Sequence, residues 1–128
     1  AVLLADATIL SLVDDRVLDG LSAAGAPYDL IEIGDDQIIG DDNTCGSSSE
    51  IYANLHAWTS GPDAILKAKR IGGRINEILS TPFDFEGFRM SSAVFDGARY
   101  FSDTDETDAD TLVGHGVITH RFRVHPLP

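Results

Sequence analysis

A change of hydrophobic period between Glu50 and Ser80 constrains the fold of this chain more than any other feature. Residues 50–59 alternate small or apolar side chains with polar or aromatic ones, which is the two-residue repeat of a strand with two distinct faces. From Pro62 onwards, apolar residues recur at helical spacing. The segment therefore predicts a strand leading into a long amphipathic helix, about residues 62–80, that packs on one face of a sheet.

A short N-terminal helix and three further strands complete the predicted fold. Asp6 is a suitable N-cap for a helix, or two helical turns, ending at Val13. Strands are predicted over 28–33, 90–101 and 112–124. The fold class is α/β (α+β): a mixed, mostly antiparallel sheet of about four to five strands, in a single domain over residues 1–128.

Two polar segments are predicted to be loops. The longer one covers residues 34–49, where a short strand could pair around 37–39, and the other is a hairpin loop over 102–111. Asp96-Gly97 is a turn signal, but a bulge at Gly97 within one bent strand keeps the last two strands of even length. Because long polar loops on a rigid scaffold usually carry interactions, we expect the first loop to contact partners through Asp35, Asp36, Asp41, Asp42 and Asn43.

Composition limits the classes of protein that this chain can belong to. A chain of 128 residues can bury about two thirds of its unfolded surface, and its single cysteine, Cys45, cannot form an internal disulfide. No apolar run is long enough to cross a membrane, so we expect a soluble protein. The chain opens at Ala1 within an apparent helical region, so we expect that residues upstream were removed or left out.

The formal net charge of −12 is unevenly distributed. This charge argues against wrapping nucleic acid, which requires Lys and Arg. The long helix carries a basic set, and a later acidic run precedes the last strand. We expect either two solvated surfaces or a head-to-tail contact between copies, which closes into a ring at a suitable rotation. The residues of this predicted subunit interface are Lys67, Lys69, Arg70, Arg74, Asp103, Asp105, Glu106, Asp108 and Asp110.

Residues with catalytic or metal-binding chemistry are few. The histidines at 115 and 120 are predicted to point to opposite sides of a strand, which disfavours a shared zinc ion. The acidic run lacks the glycine and the terminal glutamate of a calcium loop. Cys45 and the serines after it have no activating context. We therefore expect no enzyme activity, no metal and no cofactor.

The order of these elements resembles the tail-completion or tail-terminator proteins of long-tailed bacteriophages and gene transfer agents. The resemblance covers nearly the whole chain and includes no catalytic motif. It rests on four stretches: Val13-Asp14-Asp15-Arg16-Val17, Pro27-Tyr28, Leu55-His56-Ala57-Trp58-Thr59, and Gly116-Val117-Ile118-Thr119-His120-Arg121-Phe122-Arg123-Val124.

The resemblance implies a structural virion protein with no active-site residues. It implies a homohexameric ring on the head-proximal end of the tail tube, which stops tube growth and docks to the head connector. The implied partners are other copies of the chain, the tail tube protein and the connector, with DNA passing through the lumen. The implied location is the tail or neck of the virion, after assembly in the host cytoplasm.

The residues also leave alternatives open. One is a small acidic binding module that recognises a basic partner or calcium through residues 103–110. Another is a hydrolase that uses Cys45 with a histidine. For the ring, we expect the strands at 28–33 or 112–124 to present edges that a neighbouring copy covers.

Overall fold

The computed structural model describes residues 3, 5–19, 28–43, 46–84, 87–104 and 112–127. Two helices and one five-stranded sheet make up this part of the chain, and the strand order in the sheet is β1-β2-β3-β5-β4. The elements in chain order are α1 (Ala7–Val13), β1 (Val17–Asp19), β2 (Leu30–Asn43), β3 (Gly46–Ser60), α2 (Ala64–Leu79), β4 (Phe88–Thr104) and β5 (Leu112–Pro126).

The predicted α+β class and mixed sheet are confirmed. β1 pairs with β2 in parallel, and every other neighbouring pair is antiparallel. The switch of period after residue 60 is also confirmed, since β3 ends at Ser60 and α2 begins four residues later. Thr59 ties this junction together, because its buried hydroxyl donates to the carbonyl oxygen of Ala64 in the first turn of the helix.

The hydrophobic core lies between α2 and one face of the sheet, which we call the helix face. Ile71 and Ile75 of α2 are fully buried there, together with Ala57 of β3 and Ile118 of β5. The core also includes Ile9 of α1, so both helices contribute to the same side. Because residues alternate between faces along each strand, the other side of the sheet faces away from the helices, and we call it the open face.

The N-terminal helix begins where the sequence predicts. The side chain of Asp6 accepts a hydrogen bond from the backbone N–H of Ile9 at 3.0 Å, the geometry of an N-cap. The helix ends at Val13, whose side chain is fully buried. The cap therefore fixes the first turn, and the apolar end of the helix anchors it to the core.

Gly97 lies at a bulge within one continuous strand, as predicted. The pairing of β4 with β5 shifts register between Phe95 and Gly97, and Gly97 has a φ of 151°. Glycine adopts this backbone conformation more readily than other residues, because it has no Cβ atom. The Asp96-Gly97 turn is thereby excluded, and β4 pairs with β5 as far as Thr104 and Leu112.

The predicted loop over 34–49 is wrong. β2 and β3 continue through it as an antiparallel hairpin, with pairs running from Asp36 and Ala53 to Asn43 and Gly46. Only the suggestion of a strand at 37–39 anticipated this. The polar and glycine-rich composition masked the hairpin, because a strand that projects beyond the core needs no buried face and so lacks alternation.

Candidate assembly surfaces

Two of the four predicted interface cations on α2 form ion pairs inside the subunit. The Nζ atom of Lys67 lies 3.1 Å from Oδ2 of Asp29, just before β2. Arg74 donates from Nε to Oδ1 of Asp6 at 3.1 Å and from Nη1 to Glu77 at 2.6 Å. These cations connect α2 to the segments before β2 and α1, a role that sequence spacing alone did not reveal.

The Asp6–Arg74 pair has a clear electrostatic signature. Hydrogen bonding from Arg74, followed by that from the backbone of Ile9, lowers the pKa of Asp6 to about 2. The same pair raises the pKa of Arg74. Asp6 thus has two functions, as the cap of α1 and as the partner that joins α1 to α2.

Lys69 and Arg70 differ from these two, because both are exposed and neither forms an ion pair within the described residues. They are the members of the basic set that a neighbouring molecule can reach. In the acidic run, Asp103 lies on β4 near its end, where it pairs in register with Val113. Asp105, Glu106, Asp108 and Asp110 lie outside the described residues. A contact between the basic and acidic sets therefore stays a prediction.

The predicted contact residues Asp35, Asp36, Asp41, Asp42 and Asn43 lie on β2 and not in a loop. We call residues 36–43 of β2, together with residues 46–53 of β3, the hairpin arm. Ile38 of the arm is 68% exposed, and the adjacent Ile39 is also exposed. Since adjacent residues point to opposite faces of a strand, the arm presents an apolar side chain on each face among its three aspartates.

The exposed edges of the sheet are not both where the sequence placed them. The prediction that 112–124 forms an edge is wrong, because β5 lies between β3 and β4. The edge at 28–33 is partly covered, since β1 pairs with residues 31–33 of β2. Within the described residues, the outer edges without a neighbour are those of the short strand β1, of the arm portion of β2 and of β4. The first two share one margin of the sheet, and β4 forms the other.

β4 also exposes large apolar side chains. Val94 faces the open side and Phe95 the helix side, and both are exposed, as are Phe88 and Phe101. Phe83, before β4, packs on the core, and its ring meets that of Phe122 edge to face with the ring centroids 6.1 Å apart. Phe83 therefore contributes to the core, whereas Phe88 is exposed at the start of β4.

The open face carries an aromatic and histidine cluster that the sequence analysis missed. Trp58 stacks on His115 with ring centroids 3.7 Å apart, and Phe101 meets His115 edge-on at 4.6 Å. Nδ1 of His56 lies 2.7 Å from Nε2 of His115, and Trp58 donates to Glu32 at 2.8 Å. Alternation in β3 predicted the shared face of His56 and Trp58, but the β3–β5 register that adds His115 is not readable from local sequence.

Beside this cluster lies a shallow groove of about 520 Å³, lined among others by Asn54, His56, Arg99 and Thr119. The Thr119 hydroxyl donates to Asn54 at 2.6 Å, so part of its polar lining is satisfied internally. As predicted, His115 and His120 lie on opposite faces. In the described part of the chain, no three His, Cys, Asp or Glu side chains converge as a metal site. No helix there is long and apolar enough to cross a membrane.

The fold combines a helix-covered sheet with unpaired margins and apolar surface residues, which is typical of a subunit that assembles with other protein chains. Comparison with known families gives a match to the model described as "Tail completion protein gp17" over residues 1–125. The chain belongs to this family. It is therefore a structural protein of the phage tail, located in the tail or neck of the virion, as the resemblance implied.

A solved structure supports the fold. A chain described as "Virion of native gene transfer agent (GTA) particle" superposes with a TM-score of 0.76 at 17% sequence identity, covering 94% of this chain and 86% of that chain. At this identity the match shows the shared fold. Among curated proteins, no significant sequence relative was found.

Proposed function

We propose that the chain forms a homohexameric ring at the head-proximal end of the tail tube. In this position it stops polymerisation of the tube and joins the tail to the head connector. The observation that carries the proposal is the family match over residues 1–125, which includes every described helix and strand apart from the last residue of β5. No catalytic step is part of this function.

The geometry of the subunit suits a ring. The arm portion of β2 and the strand β4 are unpaired edges at opposite margins of one sheet, and they differ in sequence and in surface chemistry. A contact between two different surfaces of identical subunits is heterologous, and such contacts generate closed rings when the rotation per subunit divides a full turn. That the ring contains six subunits is part of the proposal.

The charge of the chain also suits a passage for DNA. Each copy carries a formal charge of −12, so a ring of six copies would be strongly acidic. A lumen wall of the same sign as the DNA backbone repels it and favours sliding over binding. The proposed partners are thus other copies, the tube protein and the head connector, while DNA is a passing molecule.

Contact with the tube or the connector is proposed for the end of the hairpin arm, residues 41–43. These residues pair with 46–48 of β3, beyond the last pair between β3 and β5, which is Ser49 with Val124. A contact between Lys69 and Arg70 on one copy and the acidic run of residues 103–110 on the next is a separate proposal for the ring.

Tube length tests the function. The tube protein is polymerised with and without the purified chain, and the tubes are measured by negative-stain electron microscopy. We expect the chain to shorten the tubes and to form a density with a central hole at one end only. Tubes of unchanged length with no terminal density would contradict the proposal. Heat-unfolded chain is the control for nonspecific effects of added protein.

A further inference from the structure

We propose that the ring forms by sheet extension: the hairpin arm of one copy pairs, antiparallel, with β4 of the next copy. This inference deepens the proposed function and rests on it, since it names the surfaces through which identical copies meet. The occupant of each open edge is a second copy of this chain.

The first support is the set of unpaired strand edges. Neither β4 nor the arm portion of β2 has a strand on its outer side within the described residues. An edge strand presents backbone N–H and C=O groups that pair readily with another strand. β4 runs from Phe88 to Thr104, so it is long enough to match the whole of the arm.

The second support is strand direction. From β2 through β3 and β5 to β4, each neighbouring pair is antiparallel, so β2 and β4 run in opposite directions. Copies related by rotation about an axis roughly along the strands therefore place β2 of one copy antiparallel to β4 of the next. The alternation inside the subunit then continues across the boundary without a break.

The third support is the match of exposed apolar residues at the same height in the sheet. The register runs across the sheet from Gln37 through Tyr52 and Arg121 to Val94. In a neighbouring row it runs from Asp36 to Phe95. The exposed isoleucines of the arm and the exposed Val94 and Phe95 thus occupy neighbouring rows at the two margins. Pairing would remove both groups from water.

The fourth support is charge. The arm portion of β2 carries three aspartates and no basic residue, in the sequence Asp36-Gln37-Ile38-Ile39-Gly40-Asp41-Asp42-Asn43. β4 carries Arg89 and Arg99 together with the acids Asp96 and Asp103, so its charges balance. Both arginines are exposed and form no ion pair within the described residues. Pairing of the acidic arm with an edge that carries two arginines is therefore favoured over pairing of two arms, which repel each other.

Disulfide formation between engineered cysteines tests this pairing. In a Cys45→Ser background, Gln37→Cys is combined with Val94→Cys or with Ser92→Cys, all on the open face. The two β4 positions are used because the register between the copies can shift by two residues while both cysteines stay on the open face. Each chain then has one cysteine at each margin, so mild oxidation should give a ladder of covalent oligomers on a nonreducing gel. Circular dichroism checks that each variant is folded.

Two controls make the result specific. Gln37→Cys with Phe95→Cys places the cysteines on opposite faces, because Phe95 points to the helix face. Arg70→Cys with Asp108→Cys tests the contact between the basic helix surface and the acidic run. All variants are oxidised both as free chains at high concentration and after addition to tail tubes.

A ladder from at least one open-face pair, with none from the opposite-face control, supports sheet extension. A ladder seen only with the opposite-face control, or only with Arg70→Cys and Asp108→Cys, would overturn sheet extension. The proposed terminator function would still stand in that case. Variants that give no covalent oligomers, either as free chains or on tail tubes, would overturn sheet extension as well. Tube length measured with the Cys45→Ser parent then shows separately whether the terminator function holds.

Reversing the charge of β4 provides a second readout. Arg89→Glu combined with Arg99→Glu should raise the dissociation constant between copies about tenfold or more, measured by sedimentation. The matched control is Lys69→Glu with Arg70→Glu on α2. An equal or larger effect of the control would contradict pairing through β4.

Discussion

The core under α2 and the hairpin arm both contain isoleucines on regular elements, yet they place them in opposite environments. Ile71 and Ile75 of α2 are fully buried, whereas Ile38 and Ile39 of the arm are exposed. The ion pairs follow the same division, since Arg74 and Lys67 are paired within the subunit and Arg89 and Arg99 on the β4 edge are not. The comparison separates residues that make the subunit fold from residues that are left for its neighbours.

The largest expected effect comes from truncating a side chain in the core. Ile75→Ala should lower the free energy of unfolding by about 3–4 kcal/mol, because it removes buried methyl groups and leaves a cavity. Ile38→Ala on the arm is the matched control and should change it by less than about 0.5 kcal/mol. Urea unfolding at a concentration where the chain is monomeric measures both. Equal losses would remove the distinction between the two regions.

The adjacent glycines of α2 make a finer comparison within one element. A Cβ atom at Gly72 would lie 2.0 Å from the hydroxyl oxygen of Tyr100, while one at Gly73 would meet nothing within 4 Å. Gly72→Ala should therefore lower the free energy of unfolding by about 1–3 kcal/mol. Gly73→Ala should raise it by about 0.5–1 kcal/mol, since alanine favours the helix. Thermal unfolding distinguishes them, and effects of the same sign would show that the helix does not approach β4 as described.

His120 is a polar exception in the core. Its ring is fully buried near Phe95 and Phe122, and neither ring nitrogen has a hydrogen-bond partner within the described residues. Burial lowers its pKa, so the unfolded chain binds a proton more readily than the folded chain. Stability from this group is complete above the unfolded pKa of about 6.5 and falls as the pH decreases below it.

His120→Phe should raise the free energy of unfolding by about 1–2 kcal/mol at neutral pH, because it removes unsatisfied polar atoms. It should also reduce the loss of stability as the pH falls below about 6.5. Urea unfolding at several pH values measures both effects, with His125→Phe, at a half-buried position outside the core, as a comparison. An unchanged pH profile would mean that His120 is not the titrating group.

The smallest expected effect concerns the ion pair between the helices. The pKa of Asp6 is lowered from 3.8 to about 2, so its stabilising contribution is present above pH 4 and is lost as the pH falls towards 2. Asp6→Asn keeps a capping oxygen and removes the charge. We expect a lower melting temperature at neutral pH and a flatter profile in that acidic window. Glu77→Gln, which alters the exposed partner of Arg74, should change little.

The sequence predicted the core region better than the arm. A buried face imposes periodicity, so the strand over residues 50–59, α2, the Asp6 cap and the Gly97 bulge were all predicted close to their observed positions. Residues 36–40 of β2, on the outer side of the arm, are all exposed and therefore show no such pattern. The arm portion of β2 is held in the sheet by its pairing with β3, whose residues 49–53 pair in turn with β5.

The candidate surfaces show the same limit. The basic set on α2 was visible as charge spacing, but its division into internal and exposed cations depends on Asp6 and Asp29, which are distant in sequence. The Trp58 and His115 stack depends on the β3–β5 register. Which strands lie at the margins depends on the order of the whole sheet. Such contacts between distant segments leave little trace in local sequence.

Hydrogen exchange of the backbone amides, in the dilute monomer and in the assembled ring, tests the central claim most directly. The account predicts slow exchange for α2, β3 residues 54–60 and β5 in both states. The arm portion of β2 and the outer edge of β4 should exchange rapidly in the monomer and become protected only in the ring. Margins that exchange as rapidly in the ring as in the monomer would contradict the claim that neighbouring copies complete the sheet.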